Sequence, residues 1–370
     1  MSKNKPIFVT QPDLPDLNEF VDKLSLIWNS KILTNNGPNH KEFEDALKKH
    51  LNVQNLSVYS NGTIALLAAL KALNLKGNII TTPYSFVATS HAIMWNGLTP
   101  VFADVCAHNG NLNPEKVEEL IDEETTAIMP VHVYGYPCDI DAYERLAEKY
   151  NLKIIYDAAH CFDIKRKDDN KSILLEGDLS VLSFHATKAF NSIEGGAIIS
   201  RDAGLIDKVN LLKNFGFRNE VEIEGIGING KMNELQAAFG VLQLSDVEEN
   251  ISKRKKVFEA YVELLRNVEG ISVFTSIGDY CSNYSYLPIL VNEEYRLNRD
   301  ELYLYLKEHE IYARRYFYPL ISDLEAYKEI LTNRNNILPV ATDLSEKILC
   351  LPIYSSLSID EVKLICNLIK

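Results

Sequence analysis

From residue 40 to 245 the apolar positions switch repeatedly between a spacing near 3.6 and short continuous runs. Residues 40–51 put Phe43, Ala46, Leu47 and Leu51 on one face, which predicts an amphipathic helix. Residues 64–73 are apolar on nearly every side and predict a buried helix. Runs at 78–82, 100–103, 127–133 and 153–156 predict strands, and 87–96, 116–121 and 141–150 predict the helices between them. Strands and helices alternating at this spacing require parallel pairing with helical crossovers. Beyond Asp178 the rhythm changes. Residues 180–184 and 197–200 predict two strands flanking a polar, glycine-containing turn. A strong amphipathic helix is predicted over 231–244, and 247–265 extends the helical region. The C-terminal stretch predicts a strand at 285–291 and helices at 300–309 and 359–369. The pattern divides the chain into a large α/β unit, 1–245, and a smaller α+β unit, 246–370. Residues 1–30 are a segment able to pack on the smaller unit, and a long helix, not a Gly/Ser linker, joins the two.

Composition narrows the function classes. Acidic residues outnumber basic ones 51 to 38, for a net charge of −13. Such a chain is poorly suited to sequence-independent nucleic-acid binding, which needs Lys and Arg to neutralise phosphates. Hydrophobic residues make up 46% of the sequence, enough for substantial cores. The longest unbroken apolar run, 64–70, falls far short of the ~20 residues that cross a bilayer. No apolar signal-peptide core follows the first charges. The six cysteines are scattered without a CxxC pair, which predicts reduced thiols, not disulfides or a metal site. These features predict a cytoplasmic globular protein with no membrane partner.

Four features fall at strand ends or loops of the larger unit, where open α/β sheets bind ligands. Ser60-Asn61-Gly62-Thr63 opens the helix at 64–73, and free N–H groups in a first helical turn favour an anion, phosphate above all. Asp157 ends the strand at 153–156; a buried carboxylate there needs a cation, and a protonated pyridine nitrogen would serve. Lys188 follows an apolar strand in Ser183-Phe184-His185-Ala186-Thr187-Lys188, where desolvation lowers an amine's pKa as a Schiff-base lysine requires. Gly225 to Gly230 spells G-x-G-x-x-G, but the segment before it is charged at alternate positions, unlike the buried strand of a dinucleotide site. Its glycines are better read as tight turns that present Asn229.

Together these motifs resemble the fold-type-I pyridoxal-phosphate (PLP) enzymes, specifically the DegT/DnrJ/EryC1/StrS family of sugar aminotransferases. The resemblance runs from Thr34-Asn35-Asn36-Gly37-Pro38 through Ser60-Asn61-Gly62-Thr63, Thr82-Pro83-Tyr84-Ser85-Phe86 and Tyr156-Asp157-Ala158-Ala159-His160. It continues with Ser183 to Lys188, Glu194-Gly195-Gly196, Gly227 to Ala238, and Arg314-Arg315-Tyr316-Phe317-Tyr318-Pro319. It implies an aspartate-aminotransferase-like α/β fold: a large mixed, mostly parallel sheet flanked by helices, plus the smaller C-terminal α+β domain. Roles follow position by position. Lys188 would carry the cofactor covalently and then shuttle a proton, and Asp157 would pair with the ring nitrogen. His160 would lie near the phenolic oxygen and Phe86 on the ring face. Gly62, Thr63 and Ser183 would hold the phosphate, with Asn229 supplied across a homodimer whose active sites are shared. Two positions depart from the family: Ile193 stands where Gly is usual, and Gly230-Lys231 replaces Tyr-Arg, so Lys231 would take over a substrate-facing arginine's place. The resemblance implies amino transfer from L-glutamate, through pyridoxamine phosphate, to a nucleotide-linked keto-deoxysugar. The subgroup most resembled aminates dTDP-4-keto-6-deoxy-D-glucose at C4, for O-antigen and other surface polysaccharide, with a 3-keto or UDP-linked sugar as the alternative. Lys231, Arg314 and Arg315, with Lys213 and Arg218, are the candidate cations for the substrate's diphosphate.

Overall fold

The computed structural model describes residues 5–275, 278–328 and 337–370. Its main sheet contains β2 (Leu56–Tyr59), β3 (Asn78–Thr81), β4 (Thr99–Phe102), β5 (Thr125–Met129), β6 (Lys153–Asp157), β7 (Leu179–Ser183) and β8 (Gly196–Ile199). Their order is β2-β8-β7-β6-β5-β3-β4, and only β8 runs against its neighbours. Side chains alternate between the two faces, and both faces are covered. Ile80, Ile128, Ile154, Leu182 and Ile199 enter one core with Phe43 and Leu47. Ile79, Met129, Ile155, Val181 and Ile198 enter the other with Leu66, Ile93 and Val209. Burial on both faces explains why these strands read as continuous apolar runs.

The first face packs on α2 (Pro38–Leu51), α6 (Ile140–Tyr150) and the start of α8 (Glu234–Leu265). The second packs on α3 (Gly62–Leu73), α4 (Ala88–Trp95) and α7 (Ala203–Leu212). The short α5 (Pro114–Glu118) begins with Pro at its first turn, capped by Asn113. The two helical stretches expected around 231–265 are one continuous α8 of 32 residues. Its N-terminal part supplies Ala237 and Val247 to the first core, while Val257, Tyr261 and Leu265 enter another.

That further core belongs to β9 (Ile271–Val273), β10 (Leu287–Val291) and β12 (Ile348–Leu351), an antiparallel sheet in the order β12-β10-β9. It is covered by α9 (Arg299–Glu308) and the last helix, Ile359–Ile369, which starts from a Ser358/Glu361 capping box. Near the N-terminus, β1 (Ile7–Phe8) pairs in parallel with β11 (Ile311–Tyr312), and α1 (Leu17–Ser30) lies against α8 with Phe20 edge-on to Phe239 at 5.5 Å. Asp104, beyond β4, accepts hydrogen bonds from the N–H groups of Val340 and Ala341 and so caps the helix Pro339–Lys347. Among the described residues no helix is long and apolar enough to cross a membrane.

Candidate active site

Because β2, β6 and β7 run parallel, their carboxyl ends share one edge of the sheet, and that edge collects the chemistry. β2 leads through Ser60 into α3, where the Asn61 side chain accepts from the Ile64 N–H at 2.9 Å and caps the helix. A Cβ on Gly62 would stand 3.0 Å from the Ser183 Cβ. One on Gly196 would stand 2.8 Å from the backbone of Asn61. Glycine is what lets β7, β8 and the start of α3 approach this closely. The N–H groups of Gly62 and Thr63 precede the first intrahelical hydrogen bond, beside the Ser183 hydroxyl, a cradle suited to phosphate.

Asp157 is buried at the end of β6. Its Oδ2 accepts from the Thr89 hydroxyl at 2.7 Å, and its Oδ1 from the Ala159 N–H at 3.1 Å. Thr89 is in turn 3.0 Å from the Ser85 hydroxyl. Burial pushes the Asp157 carboxyl above its ordinary pKa, outweighing these hydrogen bonds and the pull of Lys188. Burial pushes the Lys188 amine the other way, below the usual lysine range, against the opposing charge of Asp157. Lys188 Nζ donates to the Tyr286 hydroxyl at 3.3 Å. Among the described residues, neither Asp157 nor Lys188 has an ion-pair partner within 4.0 Å.

Two histidines stand beside this pair. His160 Nδ1 accepts from the Tyr134 N–H at 3.1 Å, so the ring's proton belongs on Nε2. Its ring lies parallel to Phe317 at 6.2 Å and tilted against Tyr286 at 4.7 Å, and burial holds its pKa well below the ordinary value. His132 is fully buried, stacks on Tyr156 at 4.7 Å and accepts from the Cys138 N–H through Nδ1 at 2.9 Å. Burial lowers its pKa to about 3. The Tyr84 hydroxyl donates to the Tyr134 hydroxyl at 2.6 Å, and the Tyr134 hydroxyl donates to the Tyr316 carbonyl. The Arg314 to Pro319 segment is thereby tied to the sheet edge.

The remaining candidates are distributed unevenly. Phe86, 62% exposed, lies just before α4 at the same edge. Asn229 is exposed on a loop that returns to the sheet, where its backbone bridges Asn214 and Gly230 donates to the Lys213 carbonyl. Lys231 Nζ donates to Asn214 at 2.7 Å and sits over the Phe215 ring. Arg314 is exposed, whereas Arg315 pairs with Asp300 at 2.9 Å and lies over the rings of Tyr303 and Tyr318. Lys213 is buried, paired with Glu44 at 3.1 Å and bonded to the Val58 carbonyl, so it is a core ion pair and not a diphosphate ligand. Arg218 is held by Asp207 and Glu224. Ile193 adopts φ 70°, a conformation that a β-branched residue rarely takes and that the family's usual glycine enters freely. The G-x-G-x-x-G stretch follows no buried strand; Gly227 is pressed against the Leu212 carbonyl in a surface loop.

Sequence reasoning gave no role to Thr89, Ser85, Tyr134 or Tyr286, although Ser85 stands inside one of the motifs above. Thr89 and Ser85 lie four residues apart across the start of α4, a helical spacing that could have paired them. Tyr286 comes from the segment that enters β10, far along the chain, and no local signal marks it.

The donor set fits PLP. The cradle at Gly62, Thr63 and Ser183 suits its phosphate, the cation-free Asp157 its ring nitrogen, and the desolvated Lys188 its aldehyde. The comparisons agree. The chain is 49% identical to the dTDP-4-amino-4,6-dideoxy-D-glucose transaminase of Shigella dysenteriae, over 99% of each chain. It is 45% identical to the Escherichia coli transaminase of the same name, over 99% of this chain and 98% of that one. Among solved structures, DesI in the presence of its TDP-sugar product superposes with a TM-score of 0.93 at 32% identity, covering 99% of this chain and 92% of that chain. The sequence profile of the DegT/DnrJ/EryC1/StrS aminotransferase family matches residues 16–370. With that match over residues 16–370, near-full-length identities of 45–49%, and a desolvated lysine, a buried carboxylate and a glycine-lined helix start on one sheet edge, this chain belongs to that family of PLP-dependent aminotransferases.

Proposed function

We propose that the protein transfers the amino group of L-glutamate to C4 of dTDP-4-keto-6-deoxy-D-glucose, yielding dTDP-4-amino-4,6-dideoxy-D-glucose. The observation that carries the reading is the buried, unpaired couple of Asp157 and Lys188 beside the cradle of Gly62, Thr63 and Ser183. The names of the two transaminases 45% and 49% identical over nearly the whole length support the sugar. Relatives named for GDP- and UDP-linked sugars match at about 30%, which makes a UDP-linked or 3-keto sugar the competing substrate.

PLP, when bound, supplies the electron sink that stabilises negative charge at the amino acid's α-carbon. The chain does the rest. Asp157, fixed by Thr89 and Ala159, holds a positive charge at the ring nitrogen. His160, with Nδ1 committed to the Tyr134 N–H, presents Nε2–H as a donor toward the phenolic oxygen. Lys188 would anchor the cofactor and, once displaced, would take and return the proton that moves in each half of the reaction; burial holds its amine below the usual lysine range, which favours the free base that this role needs. Phe86 would cover the ring face. Lys231 and Arg314 face the sugar diphosphate, and Arg315, held by Asp300, buttresses that side.

The loop bearing Asn229 also exposes Val221, Ile223 and Ile226, and α1 with its flanks exposes Leu14, Leu17 and Trp28. Such apolar exposure supports a homodimer in which Asn229 of the partner subunit completes the phosphate site. The protein works in the cytoplasm, supplying an amino sugar to surface polysaccharide. The test is direct: with glutamate and the dTDP-linked keto-sugar, the wild type forms the 4-amino sugar, identified by NMR, and Lys188→Ala forms none. Turnover retained by Lys188→Ala overturns the mechanism; a product only from UDP-linked or 3-keto sugars overturns the substrate.

A further inference from the structure

We propose that Tyr286 is the positioning residue for Lys188: its hydroxyl holds the lysine amine whenever that amine is free, so that it acts from one fixed place in both halves of the transfer. The proposal rests on the reading of Lys188 as the lysine that carries the cofactor and moves the proton.

The contact is specific to the hydroxyl. Nζ lies 3.3 Å from the phenol oxygen but 5.9 Å from the ring centroid. The ring itself is clamped by His160 at 4.7 Å, Tyr134 at 5.6 Å and Tyr316 at 5.7 Å. Its backbone is fixed as well. Asn283 Oδ1 accepts from both the N–H and the hydroxyl of Ser285, at 3.1 and 2.7 Å. The same amide donates to the carbonyls of His160 and Phe162, at 2.8 and 2.9 Å. The segment entering β10 is therefore stapled to the loop that follows Asp157, and Tyr286 is set relative to the site and not merely near it.

The chemistry suits a residue whose partner changes protonation. A hydroxyl both donates and accepts, so it can follow the amine through its charged and neutral forms. Burial pushes the Tyr286 phenol above its ordinary value, so it keeps its proton. A free lysine otherwise samples four side-chain torsions, rotamer entropy it must lose at each productive encounter. Asp157, Tyr316 and Cys161 are the other groups whose charge acts on the amine, and none is within hydrogen-bond distance of it.

The experiment uses the holoenzyme after excess L-glutamate has freed Lys188, with its labelling by an amine reagent followed by peptide mass spectrometry. In Tyr286→Phe, Lys188 should label at least threefold faster, because the phenol no longer occupies its lone pair. Both half-reactions should slow about tenfold, the scale of one lost hydrogen bond, with KM for glutamate and Tm unchanged. The buried Cys161 should stay closed to thiol reagents. Unchanged labelling and rates overturn the proposal, and so does a Cys161 that opens together with Lys188, since the ring was then only packing. Tyr286→3,5-difluorotyrosine keeps the shape and makes the hydroxyl more acidic; it must also shift the labelling rate, and no shift overturns the assignment. If glutamate fails to expose Lys188 in the wild type, the reading of Lys188 itself falls, and the role of Tyr286 with it.

Discussion

Asp157 and Lys188 show how one residue's function is set against its own stability. The carboxylate is buried without a cation, and burial raises its pKa. Replacing it with Asn keeps an acceptor for the Ala159 N–H and a partner for Thr89 while removing the buried charge. The cofactor-free Asp157→Asn protein should therefore melt higher than wild type at pH 7. The gain should vanish at acid pH, where the wild-type carboxyl is itself protonated. Its transamination rate should fall ~100-fold or more, the scale of losing a preorganised electrostatic partner. Comparing Tm and turnover of the two proteins checks both halves. His132 makes the pH prediction. Its native pKa of about 3 lies below the ordinary 6.5 because the ring is buried. Between those values the unfolded chain binds more protons, so the ring imposes no penalty above pH 6.5, and stability declines as pH falls below it. The slope is about 1.4 kcal/mol per pH unit from this one group. His132→Asn, which can still accept from the Cys138 N–H, should show a shallower decline in urea unfolding from pH 6.5 to 4, even if it starts lower.

At the scale of elements, side chains from distant helices do the capping that the sequence leaves open. α2 begins at Gly37-Pro38 with no cap from its own N-terminal residue. The buried Glu234 of α8 supplies it, accepting from the Asn39 N–H at 2.8 Å, the His40 N–H at 3.0 Å and the Asn39 side chain at 3.0 Å. Glu234→Ala should cost ~2–4 kcal/mol in urea unfolding, because it orphans buried donors; a loss below ~0.5 kcal/mol would show that water replaces the carboxylate. The same elements show what was legible. The alternating pattern disclosed β3, β4, β5 and β6 with their helices, because strands buried on both faces must be apolar throughout. It disclosed Asp157, Lys188 and the Asn61-Gly62-Thr63 turn, because strand-end motifs are local. It missed β2, whose four residues sit between Asn55 and Ser60 and owe their burial to β8. It split α8 in two at the exposed Ser245 and Asp246, although the helix is continuous there and passes from one core to the other only between Val247 and Val257. Lys213 is a surface cation by composition but a core residue by folding, because Glu44 waits for it across the first core. Tyr286 lies 98 positions from Lys188, and only the packing of the segment entering β10 against the sheet edge brings them together.

For the whole molecule, segments beside the small antiparallel sheet reach the edge of the main sheet at the site. The segment entering β10 sends Tyr286 to Lys188, and the segment after β11 sends the Tyr316 carbonyl to Tyr134, while Asp13, on the N-terminal segment, receives Asn191, Gln243 and Ser355. Asn229 is exposed on its loop, where the proposed second copy would meet it. Light scattering should give the mass of a dimer for wild type and for Asn229→Ala alike. The variant should bind PLP about tenfold more weakly, as expected for one lost hydrogen bond to a charged group; unchanged affinity would place Asn229 outside the site. The central claim, that this chain carries an amino group from glutamate to a dTDP-linked 4-keto sugar on Lys188-bound PLP, is tested most directly by visible absorption. The PLP-loaded protein is titrated first with L-glutamate and then with dTDP-4-keto-6-deoxy-D-glucose. The account predicts that the visible band of the bound cofactor disappears with glutamate and returns with the sugar. A band that glutamate leaves untouched, or that the sugar fails to restore, would contradict it.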